Sequence, residues 1–174
     1  MRMSTSTRDR RIVLVGILTA WVCAGAYYAA GWVWWAQLPA KTPWTPERAT
    51  MFAILLASLS LAVGIAWAAR TRHFVSNIDG SVPGQGSQLD LTLRYVSNTT
   101  EQLILFVIAC AGICVFAPEF AIAILPVAGV WFVIARCVFA VGYVIHPLAR
   151  SVGFAATFHP TLVLTAVAFW AALM

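Results

Sequence analysis

Lysine is almost missing from this chain. Lys41 is the single one among eleven Lys and Arg residues, and charged residues make up only 10% of the 174 positions. A soluble domain of this size carries about a quarter charged residues, so that class is excluded. The formal charge of +5 does not point to nucleic acid, because no basic face alternates with exposed aromatics and most arginines stand at the ends of apolar runs. Cysteine is sparse: Cys23, Cys110, Cys114 and Cys137 all lie inside apolar stretches, at spacings that fit neither a zinc site nor a disulfide framework. They read as small apolar side chains. The three histidines, His73, His146 and His159, have no carboxylate or cysteine at ligand spacing, so no metal site is expected. The glycines of residues 80–86 lack the following lysine and Ser/Thr of a phosphate cradle.

What the chain does have is hydrophobicity, at 61% of residues and a mean hydropathy of +0.86. It falls into five runs long enough to cross a bilayer. They are expected at about Ile12–Trp35, Glu47–Ala69, Asp90–Phe116, Glu119–Ile145 and Ser151–Leu173. The first follows a basic tail, 1–11, and resembles a signal peptide around Ala24-Gly-Ala26, but its apolar run continues well past that point. It therefore reads as an uncleaved helix over 12–36, ending in a tryptophan belt of Trp32, Trp34 and Trp35. Thr45 with Pro46 behind it is the expected start of the second span. Asp90 is the expected cap of the third, a tight turn is expected at Pro118, and Pro160 is expected to kink the fifth. Ala135, Ala140 and Gly142 read as close-packing positions. The architecture expected is an all-α integral membrane protein.

Arginine placement orients it. Arg2, Arg8, Arg10, Arg11, Arg70, Arg72, Arg94 and Arg150 fall on one side of a five-span chain, against Lys41 and Arg48 on the other. The arginine-rich side is expected to be cytoplasmic. Short loops and an Ala-rich, Arg-over-Lys composition point to a bacterial inner membrane.

Two constellations carry chemistry. Arg94, Asn98 and Glu101 stand at i, i+4 and i+7 where the third span begins, on one helical face. Ionisable groups are costly in a bilayer and normally face protein or a water-filled cavity, and this set suits a small zwitterion bearing carboxylates and an amine. Glu101 precedes a long apolar run and needs a partner, either Arg94 on its own helix or an arginine such as Arg136 on another. The second constellation is Arg136, Tyr143 and Arg150, each seven residues from the next and close to one stripe along a helix, with Phe139 and His146 nearby.

R-x-x-x-N-x-x-E entering one helix, followed by R-x6-Y-x6-R spanning a later helix, a turn and the next helix, resembles the MAPEG family, the membrane-associated proteins in eicosanoid and glutathione metabolism. The likeness covers about residues 50–174, and the domain it defines is taken as 47–174, preceded by one additional transmembrane helix. The resemblance implies a four-helix membrane bundle that forms a homotrimer and holds glutathione as co-substrate between subunits near the cytosolic side. It implies that Arg94, Asn98 and Glu101 bind the tripeptide's charged ends, that Tyr143 hydrogen-bonds it, and that Arg136 anchors it or braces the site. Arg150 would be the catalytic residue, stabilising the thiolate for attack on a hydrophobic small molecule dissolved in membrane lipid. The implied function is a glutathione-dependent transferase or peroxidase. Two positions depart from the family pattern: Gln102 and Phe139 stand where tyrosines are common. Each loss removes a hydrogen bond to glutathione worth about 0.5–1.5 kcal/mol. They favour, as the alternative, a non-catalytic lipid-binding or scaffold member of the same fold.

Overall fold

The computed structural model describes residues 7–37, 43–75, 80–145 and 149–174. Five helices account for most of them: α1 (Thr7–Ala36), α2 (Pro46–Phe74), α3 (Gln88–Phe116), α4 (Pro118–Ile145) and α5 (Arg150–Leu173). All five are long and apolar enough to span a membrane. At 1.5 Å per residue even the shortest, 24 residues, exceeds a hydrocarbon core of about 30 Å. Helix α1 begins at Thr7, inside the segment expected to be a tail, because nothing in Arg8–Arg11 stops a helix.

The helix ends follow local chemistry. At α2 the Thr45 hydroxyl accepts from the Arg48 N–H and Pro46 occupies the first turn, as the sequence predicts. At α3 the cap is Ser87 rather than Asp90. Its hydroxyl accepts from the Asp90 N–H at 3.2 Å, while the Asp90 carboxylate reaches back to the Gly86 N–H at 2.8 Å. The pair resembles a capping box, with the carboxylate on the N–H one residue before the cap, and it leaves the other Asp90 oxygen to serve a side chain. Only Ala117 separates α3 from α4. His146 and Pro147 lie outside the described residues.

Helices α2 to α5 form a bundle in which α2 and α5 occupy opposite corners, each packed on both α3 and α4. Small residues draw them together. The buried stripe of α2 is Ala49, Ala53, Ala57, Ser60, Gly64 and Ala68, which is close packing of the kind lipid demands. Phe106, Ile113, Leu125, Phe132 and Leu164 fill the centre. Helix α1 lies outside the bundle on α5 and α4, burying Ala20 and Ala24 against Trp131, Ala135, Ala155 and Ala156. Pro160 lacks the N–H that would bond the Ala156 carbonyl, and the Trp131 indole N–H donates to that oxygen instead, at 2.7 Å. Helix α5 thus runs through its proline to Leu173.

The helices alternate in direction. The start of α1 and α3, the end of α2 and the start of α5 therefore share one end, and Arg10, Arg11, Arg70, Arg72, Arg94 and Arg150 gather there.

Candidate functional site

A polar cleft opens at the arginine-rich end, in two lobes. The inner lobe, about 490 Å³, is lined by Arg94 and Asn98 of α3, Phe139 and Tyr143 of α4, Arg150, Ser151 and Phe154 of α5, and Val13 of α1. The outer lobe, about 280 Å³, is lined by Gln85, Gly86, Asp90 and Leu91 together with Arg94, Tyr143 and Arg150. The last three residues form the partition shared by both.

Helix α4 ends at Ile145, so Arg150 does not continue the stripe of Arg136 and Tyr143 but opens α5. Gly142 brings it back. A Cβ at Gly142 would sit 2.7 Å from the Arg150 Cα and backbone nitrogen, so only glycine admits the first turn of α5 here. The Arg150 guanidinium then lies over the Tyr143 ring, 5.1 Å from its centroid. Gly142→Val is expected to push Arg150 away from Tyr143 while leaving helical content intact. Circular dichroism together with the ring-current shift that Tyr143 imposes on the Arg150 side-chain NMR signals, lost in the variant, checks this.

Arg136 is fully buried, at 0% exposure. Its Nε donates to the Thr157 hydroxyl at 3.0 Å and its Nη2 to the same oxygen at 2.5 Å and to the Gly153 carbonyl at 3.3 Å. Nη1 donates to the Asn98 Oδ1 at 2.9 Å. The guanidinium stacks 4.4 Å from the Phe139 ring. The Thr157 hydroxyl in turn donates to the Gly153 carbonyl at 2.8 Å, so its one proton and both lone pairs are engaged. Gly153 permits this layer, since a Cβ there would collide with the Phe139 backbone. The consequence for the cleft is orientation. With Oδ1 held by Arg136, the Asn98 side chain offers its amide N–H groups to the inner lobe.

Arg94 is half exposed and paired with Asp90, Nε to Oδ1 at 3.0 Å, one turn back on its own helix. Glu101 is not with it. Glu101 is exposed, accepts from the Ser97 hydroxyl at 3.4 Å, and does not line the cleft. Nor does it meet Arg136, whose place the expected ion pair would have required. The spacing explains the split: Asn98 and Glu101 lie about 60° apart on the helix, and the cleft opens on the Asn98 side. Gln102 turns into the bundle, buried at 3%, and Phe139 is covered by Arg136 and Gly153. Thr157, which holds Arg136, was not foreseen. Its signal was a hydroxyl one turn after a glycine in an apolar run. Ser151, Phe154 and Val13 carried no signal, because they enter the lining only through helix packing.

Three guanidiniums therefore surround or underlie a cleft facing one carboxylate, Asp90. Among the described residues neither Arg136 nor Arg150 meets an acidic partner, and no group of His, Cys, Asp and Glu there is arranged to hold a metal ion. Arg150 also heads a helix that has no side-chain cap at Ala149, and the helix dipole adds positive potential beside it. Such a site receives an anion or stabilises a developing one.

A helical membrane bundle with a cationic cleft at one end is the class that fold and site define. The model of the MAPEG family matches residues 46–170, which takes in α2 to α5 and every cleft residue except Val13, and the chain belongs to that family. No curated protein and no solved structure matches it.

Proposed function

We propose that the chain is a glutathione-dependent transferase and peroxidase of the membrane, working as a homotrimer, with its site on the cytoplasmic face of a bacterial inner membrane. The observation that carries this reading is Arg150 beside Tyr143 on the partition between the two lobes. Arg94 and the amide of Asn98 hold the carboxylates of glutathione, and Tyr143 hydrogen-bonds it. Arg136 acts from behind, by fixing Asn98. Arg150 faces the thiol. A guanidinium keeps its proton at physiological pH and cannot act as base, so the thiol proton leaves to water while the opposite charge favours the thiolate.

In transfer the sulfur lone pair forms a C–S bond and the electron pair leaves with the departing group or passes to an adjacent carbonyl, which takes a proton from water. In hydroperoxide reduction the thiolate takes the outer oxygen, the O–O bond breaks and an alcohol leaves with a proton. The sulfenic acid condenses with a second glutathione to disulfide and water. Glu101 supports the trimer. Its carboxylate is exposed among Ile104, Leu105 and Ile108, where lipid is a poor environment and a cationic group of a neighbouring subunit a good one. The gathering of arginines at the cleft end supports the orientation.

A specific feature favours the alternative, a lipid-binding or scaffold protein. At the opposite end an apolar groove of about 480 Å³ runs between α1 and α2 over α4, lined by Tyr27, Trp34, Trp35, Trp44 and Phe52. Titration of the detergent-solubilised protein with glutathione, followed by thiolate ultraviolet absorbance, separates the two. A saturable signal is expected. Its absence at millimolar glutathione, with tight binding of a fluorescent fatty acid, would replace the transferase with the lipid-binding reading.

A further inference from the structure

Helix α1 lies outside the segment that matches the family, yet it supplies one wall of the cleft. Its inward face is Val13, Gly16, Ile17, Ala20, Ala24 and Tyr27, at helical spacing. Gly16 brings its backbone directly onto the head of α5: a Cβ there would lie 3.0 Å from the Val152 Cγ2 and 3.3 Å from the Ser151 Oγ, one residue from Arg150. Aromatic pairs hold the rest of the helix in place, with Trp21 stacked on His159 at 5.1 Å and Tyr27 on Trp131 at 5.0 Å.

Two consequences follow from this placement. The face of α4 and α5 that would otherwise meet acyl chains is covered, with Ala135, Ala155 and Ala156 buried beneath α1. The inner lobe is closed on that side by Val13, whose side chain joins Phe139 and Phe154 as its apolar lining. The outer lobe has a polar edge, made by Gln85, Gly86 and Asp90. Arg10 stands one turn before Val13 on the same face of α1 and is exposed at that end.

We propose that α1 is a fixed wall of the thiol site that bars lipid-borne substrates from the α4–α5 side, and that Val13 sets the size of the second substrate. This rests on the thiol chemistry proposed above. The second substrate arrives through the outer lobe from the aqueous end, and the inner lobe accepts a short apolar body ending at Val13. Activity therefore falls as an electrophile's alkyl chain lengthens, although longer chains concentrate in the membrane.

The test uses the full chain in lipid nanodiscs, with glutathione and a series of 2-alkenals: butenal, octenal and dodecenal. The wild type is expected to prefer butenal. Val13→Ala is expected to raise kcat/KM for octenal relative to butenal by about tenfold, the scale of one or two methylenes in an apolar pocket, and Val13→Leu to lower it. An unchanged chain-length profile in both variants, or a wild type that prefers dodecenal, overturns the proposal. Placement of α1 is checked apart from activity by oxidative crosslinking of Gly16→Cys with Ser151→Cys, in a background where the exposed Cys23 and Cys137 are serine. A disulfide is expected, and failure to form one overturns the wall. If the wild type shows neither a thiolate signal nor alkenal consumption, the thiol reading fails and takes the size rule with it. The crosslink then judges the wall by itself.

Discussion

Thr157→Val is expected to lower stability by about 2–4 kcal/mol, because it removes two hydrogen bonds from a buried guanidinium and hydrogen bonds to charged groups are worth about 1.5–3 kcal/mol each. The Thr157 hydroxyl accepts from both Nε and Nη2 of Arg136; Nη2 keeps the Gly153 carbonyl when that hydroxyl is removed, and Nε loses its acceptor. In a chain of this size the loss corresponds to a melting temperature lower by roughly 5–15 °C, readable by thermal unfolding in detergent. Thr157→Ser keeps the hydroxyl and is expected to melt near the wild type. Arg136→Met behaves differently. It removes the charge along with its bonds, and apolar replacement of a buried charge is often neutral. Its melting temperature is expected within a few degrees of the wild type, while glutathione binding weakens because Asn98 loses the partner that orients it. Should Thr157→Val melt like the wild type, the Thr157 hydroxyl is not what holds the buried guanidinium.

Arg150→Ala is expected to abolish the thiolate signal of bound glutathione. A thiol has an ordinary pKa of about 8.5, so about 3% is ionised at pH 7. A guanidinium at close range lowers such a pKa by roughly 1–3 units, and a shift of two units raises the ionised fraction to about 75%. The same shift makes the sulfur about eightfold less nucleophilic, since reactivity follows basicity with a slope near 0.4–0.5. The net rate gain from ionisation alone is then only about threefold. Absorbance is therefore the decisive readout, and turnover a weak one unless Arg150 also positions the thiol. The sign for pH follows. A thiol whose bound pKa is lowered binds more tightly as pH rises from the bound pKa towards the free one. In Arg150→Ala this dependence is expected to flatten. If the variant keeps both the signal and the slope, another group stabilises the thiolate.

The spans were legible in the sequence because hydrophobic length alone marks them, and the family match agrees with the motif resemblance over α2 to α5. The Thr45–Pro46 start and the turn at Pro118 were legible because their chemistry is local. The start of α3 was misplaced by one turn. Asp90 caps nothing itself but completes the Ser87 box, and a reading that stops at the first acidic residue before an apolar run misses the serine three positions earlier. Asn98 and Arg136 were singled out as site residues, yet their pairing was not foreseen. The pair expected was Glu101 with Arg136 or Arg94, since a stripe on a helix does not say which of its edges faces the neighbouring helix. The side of the bundle on which α1 docks was illegible for the same reason. Small-residue stripes announce close packing without naming the partner.

Joined by Ala117 alone, α3 and α4 have no slack between them. With a one-residue connection the two are expected to enter the bilayer together, as one hairpin. Partition into lipid is then decided by the summed apolarity of the pair. Helix α3 carries Arg94, Ser97, Asn98, Thr99, Thr100, Glu101 and Gln102 within its first half, a polar load that weighs against a span inserting on its own. Helix α4, nearly free of polar groups apart from Arg136, offsets that load. The shortest connection in the protein thus ties a helix with a polar first half to a strongly apolar partner.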